Sequence, residues 1–469
     1  MSLRFTTQKT LEKLQQKAQK TIQRSLDQHI KLAVTGFSGS GKTALITALV
    51  KHLTTQANSQ NLPFFDVVRD HRLIACKLVP QKALDIPTFD YHSAAACLLA
   101  EDPRWPPSTE RINTLTLALK FRSRSGIRQH FSDDHTIYLE LIDYPGEWLM
   151  DLPMLNMNFE QWSRSQLDVL SQSAYSQYSE PLLAQLDKFD ATAQVDSSAL
   201  NMLSESYCTL LKTLKRETKV AKLQPGRMLI PGDLAGAPII QFFPLPNHDL
   251  VEKAGTQYEQ LAQRFEAYKK QVIEPFYKEY FCAFDRQLVL VDLIGALNDG
   301  PATLVQTQQA LRETMGMFKH GKSGVLQRLF RPKIDKVLFA ANKCDAVAIT
   351  EQDNLTRLLH ELLCEHENEL KFAGVEVDTM TISSVKSCQH KQVQDQGKTL
   401  NCVYGKPLNE SQFITFLPPE PPDHVLSSSN WPDQGFEFLS FYPMPAYQGQ
   451  LEHIRLDHTL QFLIGDKLR

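Results

Sequence analysis

The octapeptide GFSGSGKT, Gly36 to Thr43, limits what this chain can fold into more than any other stretch. It fits G-x-x-x-x-G-K-[ST], a loop whose successive backbone N–H groups turn toward one anion. Such a loop needs a strand before it and a helix after it. LAVT reads as a short buried strand, and ALITALVKHL reads as a helix with an apolar stripe. Gly36, Gly39 and Gly41 permit backbone conformations that side chains would block. Lys42 is expected to reach the β- and γ-phosphates and Thr43 to ligate Mg²⁺, with the helix N-terminus adding positive potential. Ser38, Ser40 and Ala44 belong to the same expected nucleotide-binding set.

Three further patterns choose the nucleotide. DYPGEW carries D-x-x-G at Asp143 and Gly146, where a carboxylate holds Mg²⁺ and the glycine N–H approaches the γ-phosphate. Asp292 to Gly295 (DLIG) matches the same pattern. Chain order separates the two, because a hairpin of strands 114–121 and 135–142 directly precedes Asp143. Asp292 then ends the following strand as a loop residue that faces the site without binding metal. ANKCD carries N-K-x-D at Asn342, Lys343 and Asp345. A carboxylate there accepts two hydrogen bonds from guanine N1–H and its exocyclic amine, a donor pair adenine lacks, and a pocket built for such a pair rejects the analogue. Lys343 is expected over the base plane, and Asn342 is expected to bridge to the phosphate loop. SSVK follows about forty residues later, so Ser384, Val385 and Lys386 are expected near the guanine O6. Thr109, in WPPSTER, is the best-placed threonine to close over Mg²⁺ and the γ-phosphate, and as a plain turn or cap residue it would carry no such role.

In this order the motifs resemble the Ras-like, translation-factor class of GTPases. GFSGSGKT, DPRWPPST, DYPGEWLMDLP, PGRMLIPGDLAGAP, LVDLIGALNDGP and FAANKCD together resemble, over essentially the whole chain, the YcjX family of bacterial P-loop NTPases. That resemblance implies a nucleotide-binding protein linked to envelope stress. The family's older description is "ATPase", whereas N-K-x-D points to guanine. The expected fold class is therefore α/β, a P-loop NTPase core with a mainly parallel sheet, a large helical insertion and a loop-rich C-terminal extension. The expected divisions are an N-terminal amphipathic helix (1–30), a split nucleotide-binding domain (31–150 and 286–386), a mostly helical insertion (151–285) and the extension (387–469).

The expected reaction is slow hydrolysis of GTP to GDP and phosphate, with Lys42, Thr109, Gly146 and Glu147 at the reacting end and Thr43, Thr109 and Asp143 around Mg²⁺. Glu147 stands where many GTPases place a water-orienting glutamine, and a carboxylate is repelled by a triphosphate. It accepts a proton, turns away, or leaves turnover to a partner. Arg104 and Arg111 flank the Thr109 loop, although solvated or structural roles are commoner for arginine. Two other readings stand beside this one, a nucleotide-dependent binding module without significant turnover and a stress-related ATPase.

Composition narrows location and partners. The net charge of −3 and the lack of a basic, aromatic-interleaved groove argue against nucleic acid. The eight cysteines form no C-x-x-C pair, no signal peptide is visible, and no apolar run is long enough to span a bilayer, so a cytoplasmic protein is expected. Residues 7–30 repeat apolar residues at helical spacing, and residues 1–31 carry a net charge of +5. A basic amphipathic helix more often packs on its own domain with a solvated face, and otherwise lies on an anionic membrane or a partner. Contact with the inner membrane and an unidentified protein effector remain among the expectations.

Overall fold

The computed structural model describes residues 28–36, 39–55, 57–81, 86–124, 134–173, 175–218, 223–246, 253–318 and 334–469. The chain enters at β1 (Gln28–Gly36), turns through the glycine loop and forms α1 (Lys42–Thr55). β2 (Leu73–Val79) and α2 (Tyr91–Leu99) precede a hairpin of β3 (Asn113–Arg122) and β4 (Asp134–Asp143). A 3-10 segment (Gly146–Asn156) leads into α3 (Phe159–Leu170), α4 (Ser176–Leu186), α5 (Ser197–Glu217) and α6 (Gln257–Tyr268). The sheet resumes with β5 (Arg286–Val291), followed by α7 (Leu293–Asp299) and α8 (Pro301–Phe318). Then come β6 (Lys336–Ala341), α9 (Gln352–Phe372) and β7 (Glu376–Thr381). A small antiparallel sheet of β8 (Cys388–Asp395), β9 (Lys398–Gly405) and β10 (Ile414–Phe416) precedes the last helix, α10 (Leu456–Ile464).

The main sheet has seven strands in the order β2-β3-β4-β1-β5-β6-β7. Within it β3 runs antiparallel to both neighbours and every other adjacent pair is parallel. The central strands read as near-continuous apolar runs because both faces are covered. Alternate residues part to opposite sides. Leu288 and Leu290 of β5 join Ile30, Leu32 and Val34 of β1 in a cluster with α1 and α10. Val289 and Val291 join Phe339 of β6 in a second cluster, which runs without a break into the helices between β4 and β5. There Trp162 is fully buried, with ring centres 5.1 Å from Phe242 and 5.4 Å from Phe265. The α/β class with a mainly parallel sheet is as expected, and among the described residues no helix is long and apolar enough to cross a membrane.

Several elements differ from the sequence reading. The helix expected at 7–30 falls outside the described residues except for 28–30, which are strand, because they pair in register with Ile137–Leu139 of β4. Within the insertion read as mostly helical (151–285), residues 165–189 are split between two helices, α3 and α4; the serine-rich stretch between them lacks apolar periodicity, and Ser179 Oγ donates to the Leu170 carbonyl at 2.7 Å. α6 passes into π-helical turns at Lys269–Ile273 and Phe276–Tyr280, on either side of Pro275, which has no N–H to donate. DLIGAL after β5 is helix and not an exit loop, since the Asp292 carboxylate accepts from Gly295 N–H at 3.0 Å and caps α7. Within 387–450, read as loop-rich, β8 and β9 form a hairpin through Gln396 and Gly397, both with positive φ.

Candidate functional site

The C-terminal ends of β1, β4, β5, β6 and β7 lie side by side, and the chain leaves each by a loop. Ligands of open α/β sheets bind at that edge. A cavity of about 880 Å³ opens there, lined by Gly36, Lys42, Thr109, Glu147, Asn342 and Asp345 among others.

The loop after β1 keeps its shape through glycine. Gly39 and Gly41 hold φ of 84° and 92°, and a Cβ on Gly41 would run into the Asn342 amide. Lys42 is buried and its Nζ donates to the Gly36 carbonyl at 2.6 Å. Burial holds its ammonium below the ordinary value, against the opposing carboxylates of Asp143 and Glu147. Ser40 Oγ is buried without a hydrogen bond among the described residues. Ser38 lies outside the described residues, whereas Thr43 and Ala44 line the cavity.

Asp143 ends β4 beside this loop. Its Oδ2 accepts from the Thr109 hydroxyl, which lies 3.3 Å from the Thr43 hydroxyl. Its Oδ1 is buried with no hydrogen bond among the described residues. Burial pushes the carboxyl up to about 6, while Lys42 and the Thr109 hydroxyl pull the other way. An orphaned carboxylate oxygen beside two hydroxyls is an all-oxygen donor set, which fits a hard cation such as Mg²⁺. Gly146 and Glu147 follow on the same wall. Glu147 is 4% exposed, and Lys215 of α5 meets its Oε1 at 2.5 Å. Burial pushes the Glu147 carboxyl upward, but the Lys215 and Lys42 ammoniums outweigh this and hold it low.

The loops after β6 and β7 form the other end. Asn342 Nδ2 donates to the Ser40 carbonyl at 2.9 Å, and its Oδ1 accepts from Ser384 N–H at 3.1 Å. One side chain thus ties three loops together. Lys343 takes a left-handed φ of 70°, and its ammonium meets Asp292 at 2.5 Å. Asp345 is buried; its Oδ2 accepts from Ser387 N–H at 2.5 Å, Ser387 Oγ at 2.8 Å and Cys388 N–H at 3.1 Å. Its Oδ1 has no hydrogen bond among the described residues, in a cavity that Ser384 and Val385 also line.

Not every expected residue gathers here. The Lys386 side chain turns away from this cavity to Glu452 at 2.9 Å. Arg104 and Arg111 are exposed beside Asp102 and Asp233 and are not among the lining residues. Conversely, Lys212, Lys215 and Arg216 of α5 reach the cavity although no motif marks them, and only the 3–4 spacing of these basic residues hinted at a shared face. Ser387 and Cys388, which hold Asp345, directly follow SSVK and were within reach of a reading that asked what orients that carboxylate.

Comparison with known proteins agrees over nearly the whole length. A family model described as "YcjX-like family, DUF463" matches residues 30–468. The chain is 38% identical to a protein of Shewanella oneidensis named "Ras-like GTPase YcjX", covering 98% of this chain and 99% of that one. It is 37% identical to the protein of the same name from Escherichia coli K12, covering 98% of this chain and all of the relative.

Proposed function

The chain belongs to the YcjX-like family, and from that premise we propose that it is a guanine-nucleotide switch that hydrolyses GTP slowly. The observation that carries this reading is the Asn342 bridge, which brings the orphaned Asp345 Oδ1 into one cavity with the glycine loop and Lys42. Asp345 Oδ1 accepts from the guanine donor edge while Ser387 and Cys388 fix the other oxygen, so adenine leaves a buried acceptor unpaired. Lys343, held by Asp292, flanks the base. Lys42 and the loop N–H groups meet the β- and γ-phosphates. Thr43, Thr109 and Asp143 would hold Mg²⁺, which when bound would supply neutralisation of phosphate charge. Thr109 closes the site by its bond to Asp143, and the Gly146–Asn156 segment carries the state of the γ-phosphate to the helices that follow, where a protein effector reads it. The link to envelope stress rests on family resemblance alone. Glu147 in place of glutamine favours a second reading, nucleotide-dependent binding with negligible turnover, and single-turnover hydrolysis separates the two.

The direct test is equilibrium binding of GDP, ADP and xanthosine diphosphate with Mg²⁺ to the wild type and to Asp345→Asn. Wild type is expected to prefer GDP over ADP by at least about 10³-fold, and the variant to exchange GDP for xanthosine diphosphate. Equal binding of GDP and ADP would return the protein to the ATPase reading.

A further inference from the structure

A buried carboxylate beside a phosphate-binding lysine poses a charge conflict for any triphosphate. Glu147 lines the same cavity as Lys42 and Gly146, so a γ-phosphate and a carboxylate come to share one poorly solvated space. We propose that Lys215, carried on α5 in the helical segment, is the positioning residue that admits the γ-phosphate, because its ammonium neutralises Glu147 and draws the carboxylate off the phosphate path. The proposal rests on the guanine-nucleotide reading of this cavity.

The geometry is built for that role. Lys215 Nζ stands 2.5 Å from Glu147 Oε1, with the lysine side chain 27% exposed and the glutamate 5%. Lys212 and Arg216 lie within one turn of Lys215 and line the same cavity, so α5 presents one basic face to the site. The backbone there is fixed from the same side. Gly226 packs so closely on the Glu147 carbonyl that a Cβ would overlap it, and the Arg227 guanidinium lies 3.2 Å from the Trp148 ring centre. Charges around the loop therefore alternate in sign through Asp143, Lys42, Glu147 and Lys215. Removing Lys215 takes away the nearer of the two ammoniums that offset the buried Glu147 carboxylate and leaves more of its charge facing the position a γ-phosphate takes, whereas GDP, which lacks that group, is spared. The helical segment thereby sets the preference between the two nucleotide states.

The test measures binding of GDP and of a non-hydrolysable GTP analogue, with Mg²⁺, and needs no turnover. Lys215→Met is expected to weaken the analogue relative to GDP by about tenfold or more, and Lys215→Arg to stay within about threefold of wild type. Glu147→Gln with native Lys215 should tighten the analogue relative to GDP, and the double variant should regain the wild-type ratio because the charge that needed neutralising is gone. Thermal melts run on every variant; if Lys215→Met does not fold, Lys215→Arg and Glu147→Gln carry the comparison. Equal weakening of both nucleotides in Lys215→Met marks a purely structural lysine and overturns the proposal. So does the same loss in the Glu147→Gln background, or no change of the ratio in Glu147→Gln alone. Wild type that binds no guanine nucleotide fails before any variant is compared, and then the guanine reading falls and takes this proposal with it.

Discussion

His52 sits on α1 at 1% exposure, with neither ring nitrogen hydrogen-bonded among the described residues and its ring edge-on to His453, 4.7 Å between centres. Burial pushes its imidazole from 6.5 down to about 3, helped by His453 and Lys51 and opposed by Asp457. The folded state thus resists a proton that the unfolded chain accepts. Its stabilising effect is whole above pH 6.5 and is lost progressively as pH falls toward 3, at about 1.4 kcal/mol per pH unit. His52→Phe keeps a ring and removes the titration. Its unfolding free energy should therefore fall less between pH 7.5 and pH 5, by about 2 kcal/mol, in denaturant titrations at the two pH values. Parallel losses in wild type and variant would show that His52 does not govern acid sensitivity. At this scale the candidate site was legible wherever chemistry is local. Lys42, Asp143, Asn342 and Asp345 each sit in a short pattern whose spacing is set by one loop, and the structure gathers them. Lys215 was not legible, because it meets Glu147 across 68 residues and a salt bridge leaves no periodic trace. Lys386 fits a pattern yet turns to Glu452, since the pattern's expected contact is made by backbone and leaves the side chain free to find a partner.

At the scale of elements, one buried arginine ties β5 to α10 and the turn after it. Arg286 opens β5 at 1% exposure. It donates to the Leu463 carbonyl at 2.8 Å and takes Asp466 in a two-pronged grip, 3.0 and 2.9 Å, with Asp335 on its Nε. Asp466→Ala should cost about 2–4 kcal/mol in chemical denaturation, because the guanidinium stays buried with less to neutralise it. Replacing Arg286 with Met in that background should recover part of the loss, since the buried guanidinium is then gone and the half-exposed Asp335 faces solvent. A loss of the same size in the Met background would mean that Asp466 acts on something else. The elements that were legible are those with a clean period, as in the hairpin of β3 and β4, which the strands read at 114–121 and 135–142 match to within a residue. β8 and β9 were hidden because much of both strands is exposed, leaving no apolar alternation. α7 was hidden because a D-x-x-G pattern and an aspartate helix cap are the same four letters.

On the scale of the whole molecule, the helices between β4 and β5 share one apolar cluster with a face of the sheet, reaching from Ile142 through Trp162 and Phe265 to Phe339. The junction is polar as well. Asp151, just past Glu147, accepts from Tyr268 Oη at 2.5 Å and from Gly226 N–H at 2.7 Å, joining the segment after β4 to α6 and to the short helical turn Gly226–Leu229 between α5 and α6. Two bodies that share a core lose more than their boundary when either opens, so they are expected to unfold together. Nucleotide binding tests this cleanly, because a ligand held at the strand ends stabilises only what unfolds with them. GDP at about 100 times its Kd adds about 2.7 kcal/mol to whatever it is coupled to. Hydrogen exchange should show that increment both in β1 and β5 and in α3, α5 and α6. Trp162 fluorescence, read with Trp105, Trp148 and Trp431 replaced by Phe so that it reports on the helical segment alone, should shift its midpoint along with far-ultraviolet dichroism. If the helices exchange at a rate indifferent to GDP while the sheet is protected, the shared cluster is a contact between independent units, and α5 is free to leave the phosphate site without disturbing the nucleotide fold.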